Sequence, residues 1–327
     1  MQKVLVTGAS GFVGGHIARA LHARGFAVRC LVRKTSRLEF LAPCAPELVY
    51  GDVTLPETLG PALAGVDGVV HCAGLTKAPS AQAYFRVNEE GCRNVFEACR
   101  ARRDRLRKVV HIGSLAALGP AAAGQPVTEE TQPHPVSDYG RSKLAGHRIA
   151  ESFMADLPIC ILMPPAVYGP RDVDFLVYFR LAARGLLLLL GRETRYLSLI
   201  YARDLAEAAA DCLASARSAG RHYLVDDGCI QTWTSVAGTI ERALGRRCRR
   251  IHLPLPAVRI AGLLGDLAGR LSGRPVLLNS QKIGEFLQIA WTCSSRRIRE
   301  ELGFRPRFPL DEGVRETLAW YREQGWL

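Results

Sequence analysis

The sequence predicts an α/β fold, an open, doubly wound parallel sheet with helices on both faces, joined to a smaller lobe. Three observations carry this. A short apolar run, Val4 to Thr7, enters a glycine turn, then an amphipathic stretch, "GGHIARALHARG", then a second apolar run, "AVRCLVR". Strand, helix and strand thus follow one another within about thirty residues, the unit that builds a parallel sheet. The alternation continues through "ELVYGDV", "GVVHCAG", "VNEEGCRNVFEACRA", "KVVHIGS" and "ICILMPP", and repeated units of this kind need helices on both sheet faces. Finally, 327 residues, 48% hydrophobic and 23% charged, supply one large core or two modest ones.

The pattern loosens after Tyr168. "SLIYARDLAEAAADCL" and "RHYLV" read as a return to the sheet. Residues 1–168 plus about 196–227 therefore form the expected larger domain, built on the parallel sheet. Residues 169–195 and about 228–327 form a substrate lobe interleaved with it.

Composition narrows the function classes. The chain enters "KVLVTGASG" almost at once, leaving no room for a targeting peptide. The run Leu186 to Leu190 is too short to span a bilayer. Ten cysteines show no C-x-x-C pair and no histidines at metal-finger spacing. They read as buried apolar side chains in a reducing, cytoplasmic setting, and no metal site is expected. The formal charge of +12 is concentrated in "RARRDRLRK" and "GRRCRR". Both read as solvated helix ends, and no aromatic residues alternate with them, so no nucleic-acid partner is expected. Attraction to an anionic membrane surface or an anionic cofactor is left open.

"TGASGFVGG" places Gly8, Gly11 and Gly14 at the first strand–helix junction. Gly8 permits a tight turn, Gly11 close approach of backbone to a pyrophosphate, and Gly14 close packing of helix on strand. Ser10, Phe12 and Val13 complete the cofactor-facing turn, whose free N–H groups meet the anion. At the end of the second strand a carboxylate would hold a ribose 2′-hydroxyl; here Arg33 and Lys34 stand instead. A guanidinium pairs with a 2′-phosphate, which favours NADP(H) over NAD(H). Asp52, followed by Val53, is placed to accept from the adenine amino group. Cys72, Ala73 and Gly74 end the fourth strand beside the ribose.

Ser114 ends the strand "KVVHIGS", at the edge where doubly wound sheets hold ligands. Tyr139 and Lys143, four residues apart in "SDYGRSK", share a helical face. Together they form an acid–base set, with tyrosine's ordinary pKa near 10 expected to fall beside an ammonium and an oxidised nicotinamide. The phenol then exchanges a proton with a substrate oxygen that Ser114 holds, while Lys143 also holds the cofactor ribose.

With "TGASGFVG", "GDV", "HCAG", "VNEEGCRNV", "SLAALG", "YGRSK", "PPAVYGP" and "LSLIYARDLAEA" in order, the chain resembles an extended short-chain dehydrogenase/reductase of the NAD(P)-dependent epimerase/dehydratase superfamily. The resemblance implies a Rossmann-type fold. It makes Ser114, Tyr139 and Lys143 catalytic and assigns the pyrophosphate to Gly8, Gly11 and Gly14. It also gives Asn88 a part in organising the active-site helix, and sets Pro164 and Val167 against the nicotinamide. Two positions depart from the family pattern: Leu118 replaces a frequent tyrosine, and Met163 a frequent arginine. Leu118 is expected to make the substrate pocket less polar.

The smaller lobe is rich in apolar residues. "GLLLLLG" is expected near the cleft. In "PAVRIAGLLGDLAGRLSG", Ile260, Leu263, Leu264, Leu267 and Leu271 share one helical face, with Arg259, Asp266 and Arg270 on another. That face either packs on the core or leans on a membrane or lids an apolar tunnel, with 257–290 at the substrate entrance. The expected activity is NADP(H)-dependent interconversion of a ketone and a secondary alcohol on an apolar, lipid-, sterol- or sphingolipid-like small molecule. Within the superfamily it leans toward the dihydroflavonol reductase and 3β-hydroxysteroid dehydrogenase side. One rival is a nucleotide-sugar epimerase or dehydratase with retained cofactor, its anionic substrate held by Arg171, Arg180, Arg184, Arg192 and Arg195. The other is a non-catalytic cofactor-binding scaffold. Peripheral membrane contact and a homodimer are compatible with this reading.

Overall fold

Runs of four to six residues, mostly apolar and with many valines, build the central sheet of the computed structural model, which describes residues 2–122, 124–272, 276 and 279–327. The strands are β1 (Lys3–Thr7), β2 (Ala27–Val32), β3 (Glu47–Tyr50), β4 (Gly68–His71), β5 (Lys108–Ile112), β6 (Ile159–Met163) and β10 (Arg221–Leu224). They lie in the order β3–β2–β1–β4–β5–β6–β10, with every pairing parallel. Strands β4, β5 and β6 are buried along their whole length, as a sheet covered on both faces requires. Helices α1 (Phe12–Ala23) and α7 (Ala202–Ala214) cover one face, while α4 (Gly91–Arg100) and α5 (Asp138–Ser152) cover the other.

The alternation of side chains along β1 shows how two cores share one sheet. Val4 and Val6 pack with Ile17 and Leu21 of α1, while Leu5, between them, packs with Val69 and Phe96 on the α4 side. Phe96 is fully buried, so truncation to alanine would cost about 3–5 kcal/mol. The strand order reverses between β1 and β4, and this opens a crevice at their carboxyl ends.

The smaller lobe has its own sheet. β9 (Tyr196–Tyr201) pairs with β7 (Ala166–Tyr168), β11 (Ile230–Thr232) and β13 (Ala290–Trp291). The expected return to the large sheet at about residue 196 therefore starts later, at α7, and β9 belongs to the smaller lobe. β8 (Leu186–Leu190) pairs with β12 (Arg249–Leu253), and Leu187 packs in a third core with Phe179, Val236 and Leu318. The leucine run thus helps to build this lobe's interior. Its other helices include α6 (Leu176–Ala183), α8 (Trp233–Leu244), α9 (Leu255–Ser272), α10 (Ser280–Phe286) and α12 (Leu310–Glu323).

Helix α9 settles the choice left open by its periodicity. Ile260, Leu263, Leu264, Leu267 and Leu271 are 54–81% exposed. The reading of this stripe as core-facing is overturned, because the helix packs by its opposite side. There Gly262 is buried and lies so close to α10 that an added Cβ would sit 2.6 Å from Ile283 and 3.2 Å from the Ser280 backbone. Arg259 is exposed, whereas the Arg270 side chain and residues 273–275 and 277–278 of the expected entrance segment lie outside the described residues. No described helix is long and apolar enough to cross a membrane. All ten cysteines are free thiols, and Cys229 is the exposed one.

Candidate active site

At the crevice, β1 turns into α1 through a cradle that excludes side chains. Gly8 has φ +71°, and a Cβ there would lie 2.7 Å from the backbone of Ala73. At Gly14 it would lie 2.3 Å from the Gly8 carbonyl oxygen. The Gly11 N–H closes the turn onto that same carbonyl at 3.0 Å. Gly11 is the N-cap of α1 and no side chain caps this end, so the N–H groups at Phe12 and Val13 face outward, as an anion requires. A pyrophosphate fits this cradle. The Ser10 hydroxyl donates to Ser36 Oγ at 3.2 Å, and Ser36 Oγ accepts the Arg33 N–H at 3.0 Å. The turn bearing Arg33 and Lys34, both exposed, is thereby latched to the phosphate turn. No described side chain pairs with the Arg33 guanidinium.

The other cofactor positions divide. One oxygen of Asp52 is held by the Thr54 N–H and hydroxyl, each at 2.9 Å. The Val53 side chain is turned into the core, against Gly91, and does not face the crevice. The Cys72 and Ala73 N–H groups donate to the Thr7 carbonyl and hydroxyl, at 3.3 and 3.2 Å. Gly74 then crosses the lysine, where an added Cβ would lie 3.9 Å from Lys143 Nζ. Pro164, buried after β6, accepts the Leu115 N–H at 2.8 Å and so fixes the turn that follows Ser114. Val167, in β7, is half-buried against the α1 side of the core.

The structure brings Ser114, Tyr139 and Lys143 together. Ser114 Oγ accepts the Ala116 N–H at 3.2 Å and lies close enough to the Tyr139 phenol to lower its pKa. Lys143 Nζ is buried and donates to the Ile112 carbonyl at 2.8 Å. Asn88 lies in a single π turn, Arg86–Glu90, between the short helix α3 (Ala81–Phe85) and α4. Its Nδ2 donates to the Leu75 carbonyl at 3.0 Å and to Ser142 Oγ at 2.9 Å, while its Oδ1 accepts the Leu75 N–H at 2.8 Å. Asn88 thus ties the loop after β4 to α5, and the Ser142 hydroxyl passes the tie to the Tyr139 carbonyl at 2.7 Å.

Electrostatics correct one expectation. The Tyr139 pKa is pushed up to about 12, first by burial, then by Glu285, Tyr84 and Cys72, against the neighbouring Ser114 hydroxyl, which lowers it. The expected lowering fails in the chain alone because desolvation by burial dominates the shift. Burial also lowers Lys143. Stacked under the lysine, His71 and His111 (ring centroids 5.3 Å apart) are held neutral by burial and then by its charge, His71 down to about 3.

Glu285, Gln281 and Tyr84 escaped sequence reasoning. Glu285, on α10, is buried and takes the hydroxyl of Ser137, the N-cap of α5, as well as Lys282 Nζ at 2.9 Å. The Asp138 N–H donates to Gln281 at 2.6 Å, so α10 clasps the end of α5 that carries the phenol. Tyr84 sets its ring 6.0 Å from that of Tyr139. Arg171, expected to face an anionic substrate, instead donates to the Gly11 and Ser10 carbonyls, both at 2.9 Å, behind the phosphate turn. A basic residue directly after "VYGP" was its one signal. Arg180 and Arg195 are likewise held by backbone carbonyls, of Trp326 and Leu190.

Leu118 and Met163 are both buried and line a cavity of about 350 Å³ in which Tyr139 has no part. Leu118 thus faces this cavity. The short turn Leu115–Ala117 carries it to the other side of α5.

The profile of the NAD dependent epimerase/dehydratase family matches residues 4–225. The chain is 35% identical to the ceramide reductase of Caulobacter vibrioides over 99% of this chain and 96% of that protein. It is 30% identical to sterol demethylase protein B of Methylococcus capsulatus over 99% of each. The crystal structure of gox2253 superposes with a TM-score of 0.82 at 27% identity, covering 99% of each chain. With the cradle, the Ser–Tyr–Lys cluster and a profile match over most of its length, the chain belongs to the NAD dependent epimerase/dehydratase family, the extended short-chain dehydrogenase/reductases, and is an NAD(P)-dependent oxidoreductase of that type.

Proposed function

We propose that this chain reduces a ketone to a secondary alcohol on a lipid-like substrate, with NADP(H) as the cofactor. The observation that carries the reading is the meeting of Ser114, just after β5, with Tyr139 and the buried Lys143 on one face of α5, beside the glycine cradle. Burial keeps the Tyr139 phenol protonated at neutral pH, so it has a proton to give to a substrate oxygen. Bound in the glycine cradle, NADPH supplies the hydride. Tyr139 gives its proton to the substrate oxygen, and the Ser114 hydroxyl holds that oxygen in place. Lys143, buried one turn away, offsets the negative charge that the phenolate acquires. Arg33, free and latched beside the cradle, supports the 2′-phosphate preference.

The apolar character of the substrate rests on three supports. The relatives named as a ceramide reductase and a sterol demethylase protein match this chain over nearly its full length. Three of the five arginines offered to a nucleotide sugar are held by backbone carbonyls instead. Helix α9 presents five exposed aliphatic residues and leads, through α10, to the end of α5 that carries Tyr139. With a formal charge of +12 and Arg259 at its flank, this face suits an anionic bilayer surface from which a lipid enters.

The test is stoichiometry. Purified protein, a long-chain keto-lipid in anionic vesicles and NADPH should yield one alcohol for each NADPH oxidised. Product formed without net NADPH oxidation would replace this reading with that of an epimerase or dehydratase.

A further inference from the structure

On the half of α5 farther from Tyr139, three side chains converge that the reaction does not use. His147 and Glu151 stand one helical turn apart, and His222 projects from the edge strand β10. His147 Nε2 lies 3.4 Å from Glu151 Oε1, and His222 Nε2 lies 3.7 Å from the same oxygen. The imidazoles meet edge to face with centroids 4.9 Å apart. One donor atom from each of the three residues lies within 4.8 Å of the others.

These spacings are close to those of a coordination sphere. A tetrahedral zinc ion with bonds of about 2.0–2.1 Å holds its donors about 3.3–3.5 Å apart. The measured separations to Glu151 match that range or exceed it by a few tenths of an ångström, and the two imidazole donors lie within 4.8 Å of each other, so the side chains move inward to close on an ion. Two imidazoles and one carboxylate form a donor set suited to borderline divalent metals. The geometry points to a binding site for a divalent transition-metal ion of the zinc class, formed by His147, Glu151 and His222, with its fourth position open to water.

The surroundings allow entry and supply a compatible charge. His147 is buried and its Nδ1 has no hydrogen-bond partner, so Nε2 is the atom by which it reaches Glu151. Glu151 is exposed enough to admit an ion, and the cavity shared with Met163 and Leu118 opens beside it. Glu129, Glu130 and Glu151 line this cavity, against Arg148; Arg297 pairs with Glu129 and Glu130. The other histidine–cysteine cluster, His71, Cys92 and His111, lacks these features: all three are fully buried and face the charge of Lys143. Sequence spacing could not reveal the site, because its third ligand is delivered by the pairing of β10 with β6. A bound ion fastens the middle of α5 to the sheet edge.

The experiment uses the full chain carrying Cys229→Ser, to remove the exposed thiol, stripped with a chelator and titrated calorimetrically with Zn²⁺. A parallel titration with Co²⁺ reads coordination geometry from its visible absorption. One equivalent of Zn²⁺ should bind in the micromolar range or tighter, with tetrahedral Co²⁺ bands. Glu151→Gln and His222→Ala should each weaken binding by at least about ten- to a hundredfold. Turnover of both variants in chelator should match the parent, which shows that they fold. Absence of stoichiometric binding, or equal affinity in the folded variants and the parent, overturns the site.

Discussion

Replacing Leu263 and Leu267 with serine tests whether α9 meets a membrane. In the free chain these side chains are 63% and 54% exposed. A leucine contributes about 1.5–3 kcal/mol when fully buried. Their exposed fractions alone therefore offer a bilayer about 1.8–3.5 kcal/mol, which corresponds to roughly 20- to 400-fold in partitioning. The three other aliphatic residues of the stripe remain, so residual binding is expected. The same exposures limit the folding penalty, since less than half of each leucine is buried within the chain.

Two measurements separate the outcomes. Flotation with anionic liposomes should recover the wild type and lose most of the double variant, and added salt should weaken both by screening the basic surface over about 10 Å at 0.1 M. Melting curves of the two proteins should nearly coincide. The apparent KM for a vesicle-borne ketone should rise while the NADPH dissociation constant is unchanged. A wild type that fails to float, or a variant that floats equally well, refutes the reasoning. A large drop in melting temperature would show instead that this face packs within the protein.

Tyr139→Phe should lower turnover by about 10²–10⁴-fold with NADPH affinity nearly unchanged, measured by steady-state kinetics beside a fluorescence titration; retention of half the wild-type rate removes the acid assignment. Arg33→Ala should weaken NADPH by roughly ten- to a hundredfold, the equivalent of about 1.5–3 kcal/mol, and leave NADH almost unaffected; equal losses for both would give Arg33 a general role. Because its folded pKa lies near 12, Tyr139 is protonated through neutral pH, so ketone reduction should fall only as pH rises toward that value. Glu285→Gln removes a carboxylate that raises the phenol pKa and should move this alkaline limb to lower pH, which a pH–rate profile reads directly.

What could be read from the sequence depended on whether one local constraint fixed the residue type. The glycine turn was legible because φ +71° at Gly8 and the 2.3 Å approach at Gly14 exclude every other side chain. The strands of the large sheet were legible because burial on both faces demands continuous apolar runs, and the shared helical face of Tyr139 and Lys143 followed from their spacing of four on α5. Glu285 had no such signature, since it reaches Ser137 across 148 residues, through a clasp that exists only once α10 is folded against α5. The phenol's pKa escaped for a related reason. Residue spacing gives the sign of a neighbouring charge, but burial, which here decides the shift, is a property of the assembled site. Helix α9 is the sharpest instance, because periodicity defined its apolar stripe without saying which face would be covered. Gly262 answered that by admitting α10 on the opposite side. A leucine there would have kept the helices apart; a glycine brings them into contact and leaves the leucine face turned outward.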